Sequence, residues 1–381
     1  MKPSTHADNS IANAADLFSN GTNMIHTFRN LASSLLVVIG TQFANPTIAD
    51  ISIHLRDADD LISISQFLSE DNQTLLVAAT LNSTQQPSEP RSFLNFIAFE
   101  TGVIVSALPI DSVPLFAPPG TQRGMLALPQ LVPSLQWTLF EPDQSLREVV
   151  AEAPLQNYAV VTETLQTDRG LYVFGMNVDQ QPIVSVLNPA YVQFSERAKS
   201  HLTPGMVTGA LSVGDDILTL ITAEAGSVIA RMSSDLNTIS EIAVDGFGAN
   251  GTTLPHGGYA ITYVTVPNMA VVLELFDNDH TRRWRKTLYV MSSDAISSGS
   301  KLNSSPNGIA FAGFNNGKLL IGRVSIDGEE IAIKEIAHDH LDFDPSSTSY
   351  FLYTNENETH VHGIGYATDT HRKRLYHAVH R

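Results

Sequence analysis

Short runs that alternate apolar with small or polar residues recur along the whole chain, and each ends on an acidic residue. The clearest is "AVVLELFDNDHTRRWRKTL" (270–288), which reads as an apolar strand, a tight acidic turn and a second strand. Its relatives before the acid are "ISIHLRD", "FLNFIAFE", "LQWTLFEPD", "LYVFGMNVD", "SVIARMSSD", "LLIGRVSID" and "VHGIGYATD". Alternation with a period of two is the mark of a half-buried strand. The acids are Asp57, Glu100, Asp143, Asp179, Asp235, Asp277, Asp327 and Asp369, spaced by 43, 43, 36, 56, 42, 50 and 42 residues. They suit hairpin turns, because Asp bonds its own backbone and tolerates left-handed conformations.

Each acid is flanked alike. Upstream lies a more apolar strand, such as "ILTLITAE", "YAITYVTV" or "IAFAGFN"; downstream lies a third, such as "RRWRKTLYV" or "IAIKEIAH". A weaker segment before the apolar strand can supply a fourth. Units of three or four antiparallel strands repeating near 45 residues predict an all-β chain folded as a β-propeller. Eight four-stranded blades are expected, with seven as the alternative. The most apolar strand is expected innermost, between neighbouring blades, and the charged "TRRWRKTL" and "EIAIKEIA" outermost, facing water. Residues 1–16 read as an extension and 17–381 as one propeller domain. The final strand (374–381) is expected to complete its own blade, with no N-terminal strand exchanged into it. Helical periodicity is confined to short candidates near 11–18 and 191–200.

The segments "HGGYAITY…AVVLELFDNDHTRRWRKTL" (256–288) and "NGIAFAGF…LLIGRVSIDGEEIAIKEI" (307–336) resemble the blade repeats of bacterial PQQ-like and delta-60-type propellers. The resemblance runs from about residue 17 to the end and is strongest in the sixth and seventh units. It implies the propeller fold. Quinone-dependent members lock their blades with repeated tryptophan motifs, whereas this chain has only Trp137 and Trp284. No cofactor is therefore expected.

Charge narrows the partners. The chain of 381 residues has 22 Lys+Arg against 39 Asp+Glu, a net −17. Such a deficit disfavours nucleic acid, whose binding rests on neutralising phosphates with basic side chains. The basic runs "RRWRK" (282–286) and "HRKRLYHAVHR" (371–381) read as solvated strand ends. There is no cysteine, hence no disulfide or thiolate chemistry. No apolar run reaches the roughly 18 residues of a membrane helix. The N-terminus lacks the order of a signal peptide. An acidic, lysine-poor, cysteine-free composition suits a bacterial surface or exported protein, with the cytoplasm as the alternative. A monomer is expected.

Candidate chemistry centres on 13 histidines and one long spacing. "HVH" places His360 and His362 on one strand face, and "HDHLDFD" (338–344) clusters His338 and His340 with three aspartates. Neither completes a recognisable metal motif, and no metal is assigned. The 56-residue spacing reads as an insertion, "LNPAYVQFSERAKSHLTPG" (187–205), carrying Tyr191, Phe194, Arg197 and His201. Long loops on a rigid scaffold are where binding residues gather; the alternative is a short covering helix. With His256, His338 and His340, these four are the candidate binding residues. No nucleophile elbow, Walker loop or H-E-x-x-H is present. The expected function is a non-enzymatic binding or interaction module for a protein or glycan. The alternative is a lyase or hydrolase acting on a polysaccharide or small ester, using His201, His256, His338 and His340 as acid–base or metal groups at the funnel mouth.

Overall fold

The computed structural model describes residues 158–187, 202–266, 268–291, 300–315, 318–336, 350–354, 358–366 and 373–380, together with the backbone of the strands between 56 and 154 and of the strand at 194–198. Among the described residues there are no helices and seven four-stranded antiparallel sheets. Strand β1 (Arg56–Asp57) precedes the first sheet, formed by β2 (Gln66–Leu68), β3 (Thr74–Leu81), β4 (Arg91–Ala98) and β5 (Ile104–Ile110). The second holds β6 (Ser112–Phe116), β7 (Gly124–Pro129), β8 (Ser134–Phe140) and β9 (Leu146–Pro154). The third holds β10 (Val160–Thr167), β11 (Gly170–Met176), β12 (Pro182–Leu187) and β13 (Phe194–Ala198). The fourth holds β14 (Met206–Val213), β15 (Asp216–Ala223), β16 (Gly226–Ser233) and β17 (Thr238–Val244). The fifth holds β18 (Phe247–Thr253), β19 (Tyr259–Val264), β20 (Ala270–Phe276) and β21 (Arg282–Val290). The sixth holds β22 (Lys301–Ser305), β23 (Gly308–Asn315), β24 (Lys318–Val324) and β25 (Ile331–Ile336). The last runs β26 (Tyr350–Thr354), β27 (Thr359–Tyr366), β28 (Lys373–His380) and then β1.

The first strand of each sheet lies beside the first strand of the next, from β6 through β10, β14, β18 and β22 to β26. These first strands therefore surround a common axis. Each pair of successive sheets from the third onward shares its own apolar core. Phe174 packs with Ile217 and Met232, Leu220 with Ile261, Ala260 with Ile309, and Ile321 with Val361. Alternate residues of one strand serve the two neighbours: Tyr259, Ile261 and Tyr263 face the fourth sheet, while Ala260 and Val264 face the sixth. Burial of both faces is why these strands read as unbroken apolar runs.

This arrangement corrects the expectation for the innermost strand. The most apolar strands, β15, β19 and β23, stand second in their sheets and are almost wholly buried. The first strands β10, β14, β18 and β22 are mostly half-buried, because one side borders the axis and not another sheet. The charged outer strands fall where they were predicted, with β21 and β25 largely exposed.

The turn acids repeat with fidelity. Asp179, Asp235 and Asp327 each precede a residue in the left-handed region, namely Gln180 (φ 63°), Leu236 (62°) and Gly328 (75°); in the fifth sheet the equivalent position, before His280 (67°), is Asp279, two residues beyond the expected Asp277. In each turn the N–H of that residue donates to the carbonyl three positions back, at 3.1, 2.8, 3.0 and 2.9 Å. The conserved geometry sits on different hairpins, however. Asp179 turns the second strand of its sheet into the third, and so does the segment around Asp369; Asp235, Asp279 and Asp327 join third to fourth. The 56-residue spacing is therefore a change of hairpin and not an insertion. Asp143 and Asp235 are 92 residues apart, two ordinary periods. Within that stretch 194–198 is the fourth strand β13, paired with β12, and not a helix. The helical candidate at 11–18 lies outside the described residues.

Closure also differs from expectation. β28 does not end the last sheet: β1 pairs with it antiparallel, Arg56 opposite Leu375 and Asp57 opposite Arg374. Asp57 thus lies in the outer strand of the last sheet, and the eight aligned acids map onto seven sheets. The N-terminal region closes the last sheet by backbone hydrogen bonds, which covers an edge that would otherwise be open to foreign strands.

Candidate functional site

Antiparallel order gives the molecule two ends. First strands begin, and second-to-third turns lie, at one end, called here the mouth; first-to-second and third-to-fourth turns lie at the other, the far end. Near the mouth the first strands carry β-bulges, between Val161 and Glu163, Val207 and Gly209, and Phe247 and Asn250. A bulge bends its strand and re-aims the side chains beside it. Glu163 follows the first of these, and its Oε1 accepts a 2.8 Å hydrogen bond from the Thr164 N–H.

Lys301 opens β22, three sheets away from Glu163 around the ring. Its Nζ lies over the ring of Tyr350, the first residue of β26, 5.2 Å from the centroid. The Tyr350 hydroxyl donates to Ala312 O (3.1 Å) and Phe314 meets its ring edge-on at 4.6 Å. Tyr289 and Ser300 share a 2.8 Å hydrogen bond beside them. Gly313 makes room for that pair, since a Cβ there would stand 2.3 Å from the Tyr289 hydroxyl.

Burial pushes the Glu163 carboxyl above the usual carboxylate range, against the pull of the Thr164 N–H and of the Lys301 charge. Burial likewise holds the Lys301 ammonium below the usual lysine range, with Glu163 pulling the other way. Yet Lys301 keeps exposed surface and Glu163 is half-buried. β14 and β18 stand between β10 and β22 around the axis. Among the described residues neither Glu163 nor Lys301 forms an ion pair. Burial raises the Tyr289 phenol to about 12 and that of Tyr350 higher still. Both remain neutral hydrogen-bonding groups at physiological pH.

The far end holds the other polar clusters, and they are closed. Asp216 Oδ2 accepts from Arg231 Nε at 2.6 Å and stands 3.6 Å from Nε2 of His280 in the next sheet, whose Nδ1 meets the Tyr259 hydroxyl at 3.3 Å. Arg169 pairs with Asp215 across the same kind of junction. Glu274, 5% exposed, accepts from Tyr263 and Arg282 at 3.0 Å each, with Arg285 at 3.6 Å. Arg283 pairs with Asp277 at 2.5 Å and Lys286 with Glu329 of the next sheet at 3.8 Å. Every cation of the "RRWRK" run therefore has an acidic partner. Trp284 Nε1 donates to Ile326 O of the neighbouring sheet at 2.9 Å. In the last sheet His360 bridges His377 (3.1 Å) and Glu358 (3.0 Å). There Arg323 of the sixth sheet donates to Thr354 and Thr359 at 2.9 Å each.

Of the residues singled out from sequence, Tyr191, His201, His338 and His340 lie outside the described residues. Phe194 and Arg197 fall on β13, the outer strand of the third sheet. His256 is exposed in the β18–β19 turn, at the far end and away from Lys301. His360 is buried in the core of the last sheet. Among the described residues no three His, Asp or Glu side chains gather at metal-binding distance. Sequence reasoning missed Glu163, Lys301 and Tyr350. Their signal was a lone charge in the first strands, "VVTETLQT" and "KLNSS", which gain meaning only once those strands are known to ring the axis.

No protein-family model and no curated protein matches the chain. Solved structures do. The WD40 domain of Toxoplasma gondii coronin aligns with a TM-score of 0.55 at 9% identity, covering 88% of this chain and 87% of that one. A putative 6-phosphogluconolactonase from Bacteroides uniformis aligns at 0.52 and 12% identity, over 72% and 85%. The β-propeller domain of the Trilobed protease from Pyrococcus furiosus, described as having an open velcro topology, aligns at 0.50 and 9%, over 84% and 93%. At these identities the likeness is one of fold: the chain is a β-propeller. Among the described residues no helix is long and apolar enough to cross a membrane.

Proposed function

We propose that this protein is a seven-bladed propeller acting as a binding module, with its ligand seated at the mouth between Glu163 and Lys301. One observation carries the reading: Glu163 on β10 and Lys301 on β22 put opposite charges on first strands that border the axis, and neither forms an ion pair among the described residues. A raised carboxyl and a lowered ammonium both make the charged forms costly in the folded state near neutrality. Perturbed titratable groups in a cleft are candidates for function, because a purely structural wall is cheaper without them. The mapping of eight turn acids onto seven sheets supports the blade count, and the repeats at 256–288 and 307–336 support a PQQ-like lineage.

The test is the double variant Glu163→Gln/Lys301→Met. It should melt about 1–3 °C higher than the natural protein, about 1–2 kcal/mol in a chain of this size. It should also lose every thermal shift that a panel of small charged compounds produces in the natural protein. A lower melting point, or an unchanged panel, would make the charges structural.

The Bacteroides uniformis neighbour prompts a second reading, hydrolysis of a small ester or lactone. A lactone-hydrolysis assay decides it: turnover that disappears in His201→Ala or His338→Ala would favour the enzyme over the binding module.

A further inference from the structure

We infer that this chain forms a two-fold dimer by pairing the outer strand β25 of its sixth sheet with β25 of a second copy. The contact lies on the outer rim, away from the first strands, and replaces the monomer expected from sequence. An outer strand presents a row of backbone N–H and C=O groups that another strand can take up, and most edges carry something that prevents this. Here β5, β9, β17 and β21 each carry at least one β-bulge against the strand inside them. A bulge bends the edge and twists it away from a flat partner. β21 adds the basic residues Arg282, Arg283, Arg285 and Lys286. β13 is unbulged but five residues long, with Glu196 and Arg197 inside it. β25 has neither protection. Its six residues pair with β24 without a break, from Ile331 opposite Val324 to Ile336 opposite Leu319. Among the described residues no strand lies on its outer side. Ile331 and Ile333 stand 40% and 41% exposed, and Ala332 between them is exposed as well.

The sequence of β25 fits its own copy in one register. A two-fold axis normal to the sheet keeps odd residues of both antiparallel strands on one face, so it must pass beside a residue paired with itself. Centred on Ala332, it sets Ile331 against the partner's Ile333 and Glu330 against the partner's Lys334, each pair occurring twice. Every other centre is worse. On Ile331 the axis sets Ile333 against an acid, Glu329, and on Ile333 it sets Ile331 against Glu335. On Lys334 or Glu335 it sets like charges together. Apolar and opposite-charge pairs stabilise a ladder, whereas like charges directly opposite destabilise it. Glu330 is exposed and already extends the hairpin, its carbonyl accepting from the Ser325 N–H at 3.0 Å. The neighbouring acids Glu329 and Glu335 are taken by Lys286 and Lys318. Glu330 and Lys334 form no ion pair among the described residues.

Six residues a side are fewer than the roughly 20–30 of a standard interface, so the dimer belongs to high protein concentration. Sedimentation velocity of the full chain, from micromolar to near-millimolar, should show the monomer giving way to a species of twice its mass. Glu330→Lys and Lys334→Glu should each weaken this self-association about tenfold, because each sets like charges opposite one another in both pairs. An equimolar mixture of the two variants should restore the dimer, since each then offers the charge that the other lacks. Loss of folding would not be rescued by mixing. Register is read separately in a chain that has no native cysteine. Ala332→Cys should crosslink to its own copy on air oxidation, because directly opposed positions come within disulfide reach. Glu335→Cys, also exposed, should not. A monomer at every concentration overturns the proposal and leaves the edge to a foreign strand. A dimer that survives either charge variant overturns it, as do a mixture that stays monomeric and equal crosslinking at the two cysteine positions.

Discussion

The two ends of this propeller treat charge in opposite ways. At the far end acids and bases from successive sheets meet, as Asp216 does Arg231 and His280, and Lys286 does Glu329. Such contacts tie one blade to the next where turns would otherwise splay. Where such groups are paired, removing one partner strands the other. At the mouth, Glu163 and Lys301 stand on first strands of different sheets and make no ion pair among the described residues. The far end thus behaves as a set of latches, while the two charges at the mouth stay unpaired with each other among the described residues. What separates them is not composition, since both combine acids, bases and tyrosines, but whether the topology lets opposite charges meet.

That contrast presupposes a closed ring, and the largest expected effect tests the closure. The chain has no native cysteine, so Arg56→Cys/Leu375→Cys introduces a single pair at positions opposite each other in β1 and β28. Oxidation should crosslink the folded protein completely on a non-reducing gel and stabilise it by about 2–4 kcal/mol. Failure to crosslink in the folded state would show that β1 does not close the last sheet.

The latches come next. Glu274→Ala removes an acceptor shared by Tyr263, Arg282 and Arg285 and should cost about 2–3 kcal/mol in chemical denaturation, with little change in ligand binding at the mouth. A loss of binding as large as the loss of stability would erase the distinction between the two ends.

Acid should weaken the far end of the last sheet before the mouth. Burial, with Lys334 and Arg323 nearby, holds His380 below its ordinary 6.5. A depressed folded value means that the unfolded chain takes up the proton first. The stability is therefore complete above pH 6.5 and declines as pH falls through 6.5 toward the folded value, with a limiting slope of about 1.4 kcal/mol per pH unit. His380→Gln should flatten this decline between pH 6.5 and 5; an unaltered profile would assign it to other groups. The smallest effect is the gain of about 1–3 °C expected from removing both mouth charges.

Much of this architecture was legible in the chain itself. Period-two runs marked the strands, the acids marked the turns, and the charged runs at 282–286 and 331–336 marked outer strands. All are local signals, because a strand's two faces and a turn's dihedral angles depend on residues a few positions apart. The identity of the innermost strand was not local. "KLNSS" looks weaker than "ILTLITAE" because the axis replaces one of its neighbours, whereas "YAVVTETL" reads as one of the more apolar strands and is in fact a first strand, a distinction that alternation does not record. The same turn motif serves second-to-third hairpins at Asp179 and third-to-fourth hairpins at Asp235, so an alignment on acids miscounts units and turns an outer strand into an apparent insertion. Closure was out of reach for a plainer reason: Arg56 and Leu375 are 319 residues apart, and hydrogen-bond pairing between strands leaves no mark on either sequence. The mouth is the extreme case. Glu163 and Lys301 are ordinary charges on separate strands until the topology places both strands around one axis.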